Sequence, residues 1–447
     1  MSSERYLLEL PPARALLRLS IPMIVGHLFQ QLYYMIDSVV CGQVLGETAL
    51  AAVGACNAVT QVFLCLAIGG AVGASMITAH CFGAGEKTDV LTSVSTALIA
   101  FLAAGAGLSA VGLCGSRALL TALATPEAVL PPAVEYLSVF FAGLPLLVLY
   151  NIVNAEFNAL GRSRIPLVFL IVSSVLNIGM DFLFVAGLGM GVAGAAWATV
   201  LSQGLAAVPS LCILLRQLRP FRRPGIRAPL VSRVLAGRML KLALPSMLQQ
   251  SVVSVGMMLV QSVVNTFGAG ALAGYSYAIR IEHIAIVPHN ALGNALSSYT
   301  AQNLGGGSTE RVAKGYRAAM LMSLVFNLVL GIGIALGSGL IARLFLGDRP
   351  DPEALAVGSG YLCFVAPLFF LNACKTLSDS VLRGAGDMPV FTIANFVNLF
   401  IRMASAYLLS PIVGIRAVWY AIPVGWLVNF AMSYAEYRTG RWKRTMG

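Results

Sequence analysis

Asp37 and Asp181 are carboxyl groups set in segments whose other residues suit a lipid solvent. The first lies in YYMIDSVV (33–40), within a stretch that has no Lys or Arg between Arg18 and Lys87, and the second in NIGMDFLFVAG (177–187). An ionisable group at the centre of a membrane helix costs roughly 2.5–3.5 kcal/mol on insertion scales and marks a functional site by default. Helical spacing gathers further oxygens beside each acid. Gln30, Tyr33 and Tyr34 share a face with Asp37, and Asn177 stands four residues before Asp181. Thr199, in GVAGAAWATVLSQ (191–203), and Asn151, in the fourth apolar stretch (133–157), are candidates to join them. Two chemistries fit such a volume. Desolvation and a neighbouring like charge favour the protonated carboxyl, which suits uptake of H+; hard oxygen ligands equally suit a hard cation such as Na+. A buried polar network that only locks helices together is the plainer alternative.

The elements that position these groups are read from composition. Of 447 residues, 58% are hydrophobic and 11% charged, and the mean hydropathy is +0.83, whereas soluble domains carry about 25% charged residues. Apolar stretches recur near 19–40, 50–79, 92–114, 133–157, 166–188 and 193–215, and again near 243–264, 272–300, 318–342, 355–380, 390–411 and 417–437. About 20 helical residues span the hydrocarbon, so the expectation is an all-α membrane protein of twelve transmembrane helices. The N-terminus lacks the continuous apolar core and cleavage site of a secretory signal.

The chain repeats itself. LLRLSIP (16–22) returns as MLKLALP (239–245), LGETALAA (45–52) as FGAGALAG (267–274), and GVAGAAWA (191–198) as GIRAVWYA (414–421), at offsets of 222 or 223. Two six-helix bundles follow, 1–215 and 239–447, joined by a basic linker over 216–238. An even number of spans per copy implies a pseudo-two-fold along the membrane normal, as in transporters with parallel repeats. Such a pair suits rocking about a central cavity, with a static channel as the bland alternative. The repeat also serves as a control. At offset 223, Asp37, Asn177, Asp181 and Thr199 fall on Val260, Phe400, Ala404 and Ile422. The second copy keeps the scaffold and lacks the acids, which favours function over architecture.

Charge placement sets topology. Of 29 Lys and Arg, 22 lie in the termini and even-numbered loops and four in the odd-numbered loops, so both termini are expected in the cytoplasm. The net charge of +11 is then a topology signal and not a nucleic-acid footprint. Eight cysteines form no CxxC or metal-ligand spacing. No disulfide or zinc site is expected, and the four histidines are scattered.

Other polar residues carry weaker signals. Glu156 and Asp379 correspond at offset 223, each five residues before a glycine (Gly161, Gly384), and read as structural acids that pair with turn arginines or helix ends. Lys375 and Asp379, four apart, are set to pair. Arg280 and Glu282, in YAIRIEHIAIVP (277–288), are expected to find partners inside the bundle, with Arg280 a weaker candidate for cargo contact. Ser246, Gln250, Ser254, Met257, Gln261 and Asn265 form an uncharged stripe suited to varied organic cargo; a polar helix–helix contact fits as well. GGAVGA (69–74) and GLGMGVAGAA (187–196) suit close helix approach.

At IDSVVCGQVLGETALAAVG (36–54), NALGRSRIP (158–166), NIGMDFLFVAGLGMGVAGAAWATVLSQ (177–203) and YSYAIRIEHIAIVP (275–288) the chain resembles the multidrug and toxic compound extrusion family, especially its prokaryotic branches. The resemblance covers essentially all twelve spans. It implies a cation-coupled antiporter of the prokaryotic plasma membrane, alternating between inward- and outward-open states. The family's coupling cluster carries over onto Asp37, Asn177, Asp181, Thr199 and Asn151, and its bending proline onto Pro22. The acids of its second-bundle site are missing: Gln249–Gln250 and Cys374–Lys375 stand there. The expected coupling ion is H+ or Na+, with no other cofactor. The expected partners are small organic cargo, cationic or amphipathic, and the lipid bilayer, with the chain a monomer. Gln30, Tyr33, Tyr34, Gln250, Ser254, Met257, Gln261 and Arg280 are the candidate cargo contacts. The rival reading is a flippase or exporter of a lipid-linked or metabolite substrate in the same superfamily. An enzyme is not expected, since no HExxH, GxSxG or paired His/Asp motif occurs.

Overall fold

In lipid every backbone N–H and C=O must find its partner within the protein, and the chain meets this demand with helices. The computed structural model describes residues 5–123, 125–222, 228–346 and 351–444; within its helices the side chains of 34, 36–48, 50, 58, 335–336, 338–346 and 444 lie outside the described set. The helices are α1 (Tyr6–Glu9), α2 (Pro12–Ala84), α3 (Lys87–Ala122), α4 (Leu130–Ala159), α5 (Arg164–Asp181), α6 (Gly191–Leu218) and α7 (Arg233–Asn265). They continue with α8 (Ala269–Gly305), α9 (Thr309–Leu346), α10 (Pro352–Val365), α11 (Phe369–Ala385), α12 (Met388–Val413) and α13 (Arg416–Thr439).

Among the described residues nine helical stretches are long and apolar enough to cross a membrane, from Val59–Ala84 to Met388–Val413. They fill nine of the twelve expected places. The first part of α2 fills another, and α8 and α13 fill the eighth and twelfth. One detail differs from expectation. The first two spans lie on a single helical stretch, α2, because the connection at 41–49 holds no proline and keeps helical backbone.

The chain divides into two compact units, one holding Ile21–Ser251 and the other Arg5–Ser20 with Val252–Gly447. In unit 1, α4 packs along α3 and α6, and α5 along α6, around Phe140, Phe141, Leu144 and Leu147. Small residues set these distances: a side-chain carbon at Gly69 would come within 2.8 Å of the Ser246 carbonyl oxygen, and one at Gly73 within 2.6 Å of Ala243 backbone. The Gly69–Gly73 pair thus seats α2 directly on α7, where lipid offers no hydrophobic drive for association. In GLGMGVAGAA the glycines do other work, since Gly189 and Gly191 take positive φ in the turn before α6.

In unit 2, α8 packs on α10 and α11, and α12 on α13, around Tyr275, Tyr361, Phe369, Trp419 and Trp426. The N-terminal segment belongs to this unit because Arg311 holds it: its guanidinium donates to the Leu7 and Leu10 carbonyls at 3.2 and 2.8 Å and to Asn303 Oδ1 at 2.9 Å. Of the in-span prolines, Pro367 interrupts its helix; α10 ends at Val365 and a 3-10 turn, Ala366–Leu368, leads into α11.

Candidate ion-coupling site

The site is built on α5 and α6 of unit 1. Ser174, Asn177 and Asp181 follow at intervals of three and four, and each is buried, Asp181 at 0% exposure and Asn177 at 1%. The Asn177 amide is satisfied at both ends in one orientation: its nitrogen donates to Asp181 Oδ2 at 3.0 Å and its oxygen accepts from the Thr199 backbone N–H at 3.3 Å. Thr199, half-buried on α6, thereby completes a three-residue contact between neighbouring helices.

Directly after Asp181 the helix changes pitch. Phe182–Gly187 form a π-helical turn, closed by Leu188 N–H donating to Leu183 O at 2.8 Å. Single π turns inside α-helices are frequent at functional sites, and this one falls at the acid itself. Periodicity in the sequence carried no sign of it.

The remaining candidates divide. The side chains of Asp37 and Tyr34, on α2, lie outside the described residues. Tyr33 is buried, Gln30 half-buried and Pro22 buried. Asn151 is half-buried on α4, and its amide donates to the Leu147 carbonyl of its own helix at 2.8 Å. A further polar set on α4 and α5, Tyr150, Asn154 and Ser173, groups near it. Asn154 stands three residues from Asn151, so the spacing was available to reveal it. Gln250, Ser254, Met257 and Gln261 are half-buried along α7, and Gln261 Nε2 donates to Asn265 Oδ1 at 3.1 Å.

Unit 2 treats its acids differently. Asp379 accepts from Ser433 Oγ at 2.6 Å and Asn395 Nδ2 at 3.0 Å, and Lys375 Nζ lies 3.4 Å away, as the four-residue spacing predicts. Glu282 is buried and accepts a hydrogen bond from the Tyr361 hydroxyl. Arg280 is exposed, contrary to the expected partner inside the bundle, because residues two apart on a helix leave in different directions. Arg402, on α12, acts on Tyr275 and Tyr361 together with Glu282. Its Nε and Nη2 are buried without hydrogen-bond partners, as is Trp419 Nε1.

Glu156 corrects the sequence reading. It is 0% exposed on α4, and among the described residues no cation faces its carboxyl. Thr78 stands beside it, but that hydroxyl is shared with Ser93 Oγ at 3.0 Å. Among the described residues no arginine or helix end pairs with it. The analogy with Asp379 also slips: the glycine ending α11 with positive φ is Gly386, not Gly384, which lies within the helix. The turns of the two halves are therefore out of register by two residues.

Comparison with known proteins identifies the architecture. The MatE family profile matches residues 22–183 and 245–408, two copies that begin 223 residues apart, as the internal repeat does. The chain is 30% identical over 432 residues to the probable multidrug resistance protein YpnP of Bacillus subtilis (strain 168), covering 96% of each. It is 26% identical over 447 residues to an FAD transporter of Shewanella oneidensis, covering 98% of this chain and 96% of that protein. Among solved structures it is similar to a MATE protein in complex with MaL6, at TM-score 0.90 and 27% identity over all of both chains. A multidrug resistance MATE family transporter in an outward-facing conformation matches at TM-score 0.89 and 26% identity, over 99% of each. Proteins of this kind move molecules across membranes and are not enzymes. The chain belongs to the MatE family, the multidrug and toxic compound extrusion transporters.

Proposed function

We propose that the protein is a secondary active efflux antiporter that exports organic compounds, cationic or amphipathic, in exchange for H+ or Na+ by rocker-switch alternating access. The observation that carries this reading is the buried Asn177–Asp181–Thr199 contact at the π turn of α5, which the second repeat lacks. An acid in a dry interior, bonded to a neutral amide, is poised to take up a cation. Cargo enters from the cytoplasm. A cation taken up from outside at Asp181 and Asp37 alters α2 near Pro22 and favours release. One elementary charge crossing 100 mV supplies about 2.3 kcal/mol, and one pH unit about 1.4 kcal/mol. Together they support a gradient of a few hundredfold, since about 1.4 kcal/mol is a factor of ten. On this reading the protein acts as a monomer in the prokaryotic inner membrane, with both termini cytoplasmic and no cofactor beyond the coupling ion.

The test is flux of a cationic dye into inside-out liposomes with ΔpH and Na+ gradients imposed separately. Asp181→Asn keeps the amide contact to Asn177 and is expected to abolish uphill flux while leaving passive equilibration; Asp37→Asn is expected to do the same. Undiminished uphill export by both variants would refute the coupling role.

A second reading, export or flipping of an anionic lipid-linked or metabolite substrate, is favoured by one observation. The Nε and Nη2 edge of Arg402 is the fork that binds carboxylate or phosphate in a bidentate manner, and it has no partner. The related FAD transporter supports considering such cargo. Competition of dye export by an organic phosphate, lost in Arg402→Met, distinguishes the two.

A further inference from the structure

The linker between the two repeats is held down where it enters α7. Ser95 Oγ of α3 donates to the Leu230 carbonyl at 2.7 Å, and the Ser232 N–H donates to Thr96 Oγ1 at 3.1 Å. Ser95 and Thr96 belong to the apolar stretch 92–114, and the apolar stretch of α7 opens near 243. Both ends of the segment 230–242 are thereby fixed at the edge of the hydrocarbon. Its inner face, Leu235, Met239 and Leu242, is buried in unit 1.

The outer face mixes two chemistries. Leu230 and Val234 are 72 and 67% exposed, with Val231 and Leu240 exposed beside them. Arg233, Gly237 and Lys241 follow at intervals of four along α7, so they share a face, and all three are exposed. A side-chain carbon at Gly237 would meet nothing within 4 Å, which leaves an open saddle between the two cations. Arg238, the next residue, is also exposed, but Glu86 and Asp89 act with it on Cys81 and offset its charge. Arg233 and Lys241 have no such acid. None occurs in the chain between Asp181 and Glu282, and the ion pairs among the described residues, Lys314–Glu310 and Lys375–Asp379, do not involve them. Uncompensated cations interleaved with exposed apolar side chains fit a partner that is anionic at one end and apolar at the other.

We infer that the segment 230–242 is a docking site for an anionic phospholipid, whose phosphate lies across Gly237 between Arg233 and Lys241 and whose acyl chains cover Val234 and Leu240. A soluble anion would leave the apolar residues in water. A second copy of the chain would set cation against cation, because a two-fold contact pairs a patch with itself. The exposed stripe also continues into Leu244 and Leu248, on the membrane-spanning part of α7, so the acyl chains have an unbroken apolar path from the headgroup inward. Arginine meets phosphate with a planar fork and lysine as a point charge, and each basic residue at a membrane surface strengthens the hold on anionic lipid. The inference concerns lipid binding alone and depends neither on the coupling ion nor on the direction of transport.

The test uses full-length protein in phosphatidylcholine nanodiscs that carry a trace of diazirine-tagged lipid, either phosphatidylglycerol or phosphatidylcholine with the tag in the same acyl chain. Labelled peptides are mapped by mass spectrometry. Phosphatidylglycerol is expected to label peptides of 228–248 more strongly than phosphatidylcholine, by about fivefold for each cation engaged and roughly twentyfold for the pair. Arg233→Gln and Lys241→Gln should each lower that preference about fivefold. Gly237→Glu, which fills the saddle with an acid, should bring it close to one. None of the three should lower the melting temperature in phosphatidylcholine, since all three positions are exposed, and any one serves if another fails to fold. Equal labelling by the two lipids, or a preference unchanged by the variants, would overturn the inference. So would displacement of the phosphatidylglycerol label by soluble glycerol phosphate, which would mark a site for free phosphate esters.

Discussion

Glu156→Met is expected to stabilise the protein, an unusual direction for a core substitution. The carboxyl is fully buried on α4, and the one hydroxyl beside it, Thr78, is shared with Ser93. A buried polar group left unsatisfied costs about 1–3 kcal/mol. Methionine is close in length, unbranched and adaptable, and shape changes of this kind usually cost less than about 1.5 kcal/mol. The balance is a gain of about 1–2 kcal/mol. For a unit of this size each kcal/mol moves the melting temperature roughly 2–4 °C, so the expected rise is about 2–8 °C. Free thiols give a direct readout, because Cys56 and Cys81 of unit 1 are buried and react with a maleimide dye only as the fold opens. Melting should be compared at one scan rate, since membrane proteins unfold irreversibly. Glu156→Gln, which keeps an amide to satisfy, should give the smaller gain. A fall in melting temperature for Glu156→Met would show that the carboxyl is held by partners and would refute the reasoning. Should the variant be more stable but slower in dye export, the strain at Glu156 serves transport.

Asp379 should behave in the opposite way: Lys375→Met removes the cation 3.4 Å from a carboxylate exposed by only 6% and is expected to cost about 3 kcal/mol. Adding Asp379→Asn should recover part of the loss, and additive losses in the double-mutant cycle would show that the two side chains do not interact. At the turn before α12, burial, and then Glu436, raise Asp387 above the ordinary aspartate range, with Arg441 opposing. The folded state therefore holds that proton more tightly than the unfolded chain, and stability falls as pH rises from the ordinary aspartate value through the raised one. Asp387→Asn should accordingly raise the melting temperature at pH 7 and have little effect below the ordinary range; equal shifts at both pH values would contradict this.

Most of the architecture was legible because lipid imposes it. Spans of about 20 apolar residues have one stable form, and the 223-residue repeat in the sequence is the spacing of the two family matches. Asn177 and Asp181 were legible for a similar reason, since a four-residue interval on a helix fixes a shared face. The Lys375–Asp379 pair followed from the same rule. What escaped depends on geometry between helices or on backbone pitch. The π turn at Phe182–Gly187 interrupts a stretch whose residues read as ordinary helix. Arg402 of α12 acts on Tyr275 of α8 and Tyr361 of α10, a grouping that local spacing does not encode. Glu156 was misread because the repeat was carried through a turn where the register changes, and Gly386 rather than Gly384 ends the helix.

Two helices are shared between the units. The chain passes from unit 2 to unit 1 between Ser20 and Ile21, within α2, and returns between Ser251 and Val252, within α7. Arg311 anchors the stub before the first crossing. Both crossings are therefore made on continuous helical backbone and not through a loop. Pro22, one residue beyond the first crossing, lacks the hydrogen bond that would stiffen the rod there. The chain thus enters and leaves unit 1 on helix alone, and the stiffness of those two passages is written into the residues around 20 and 251.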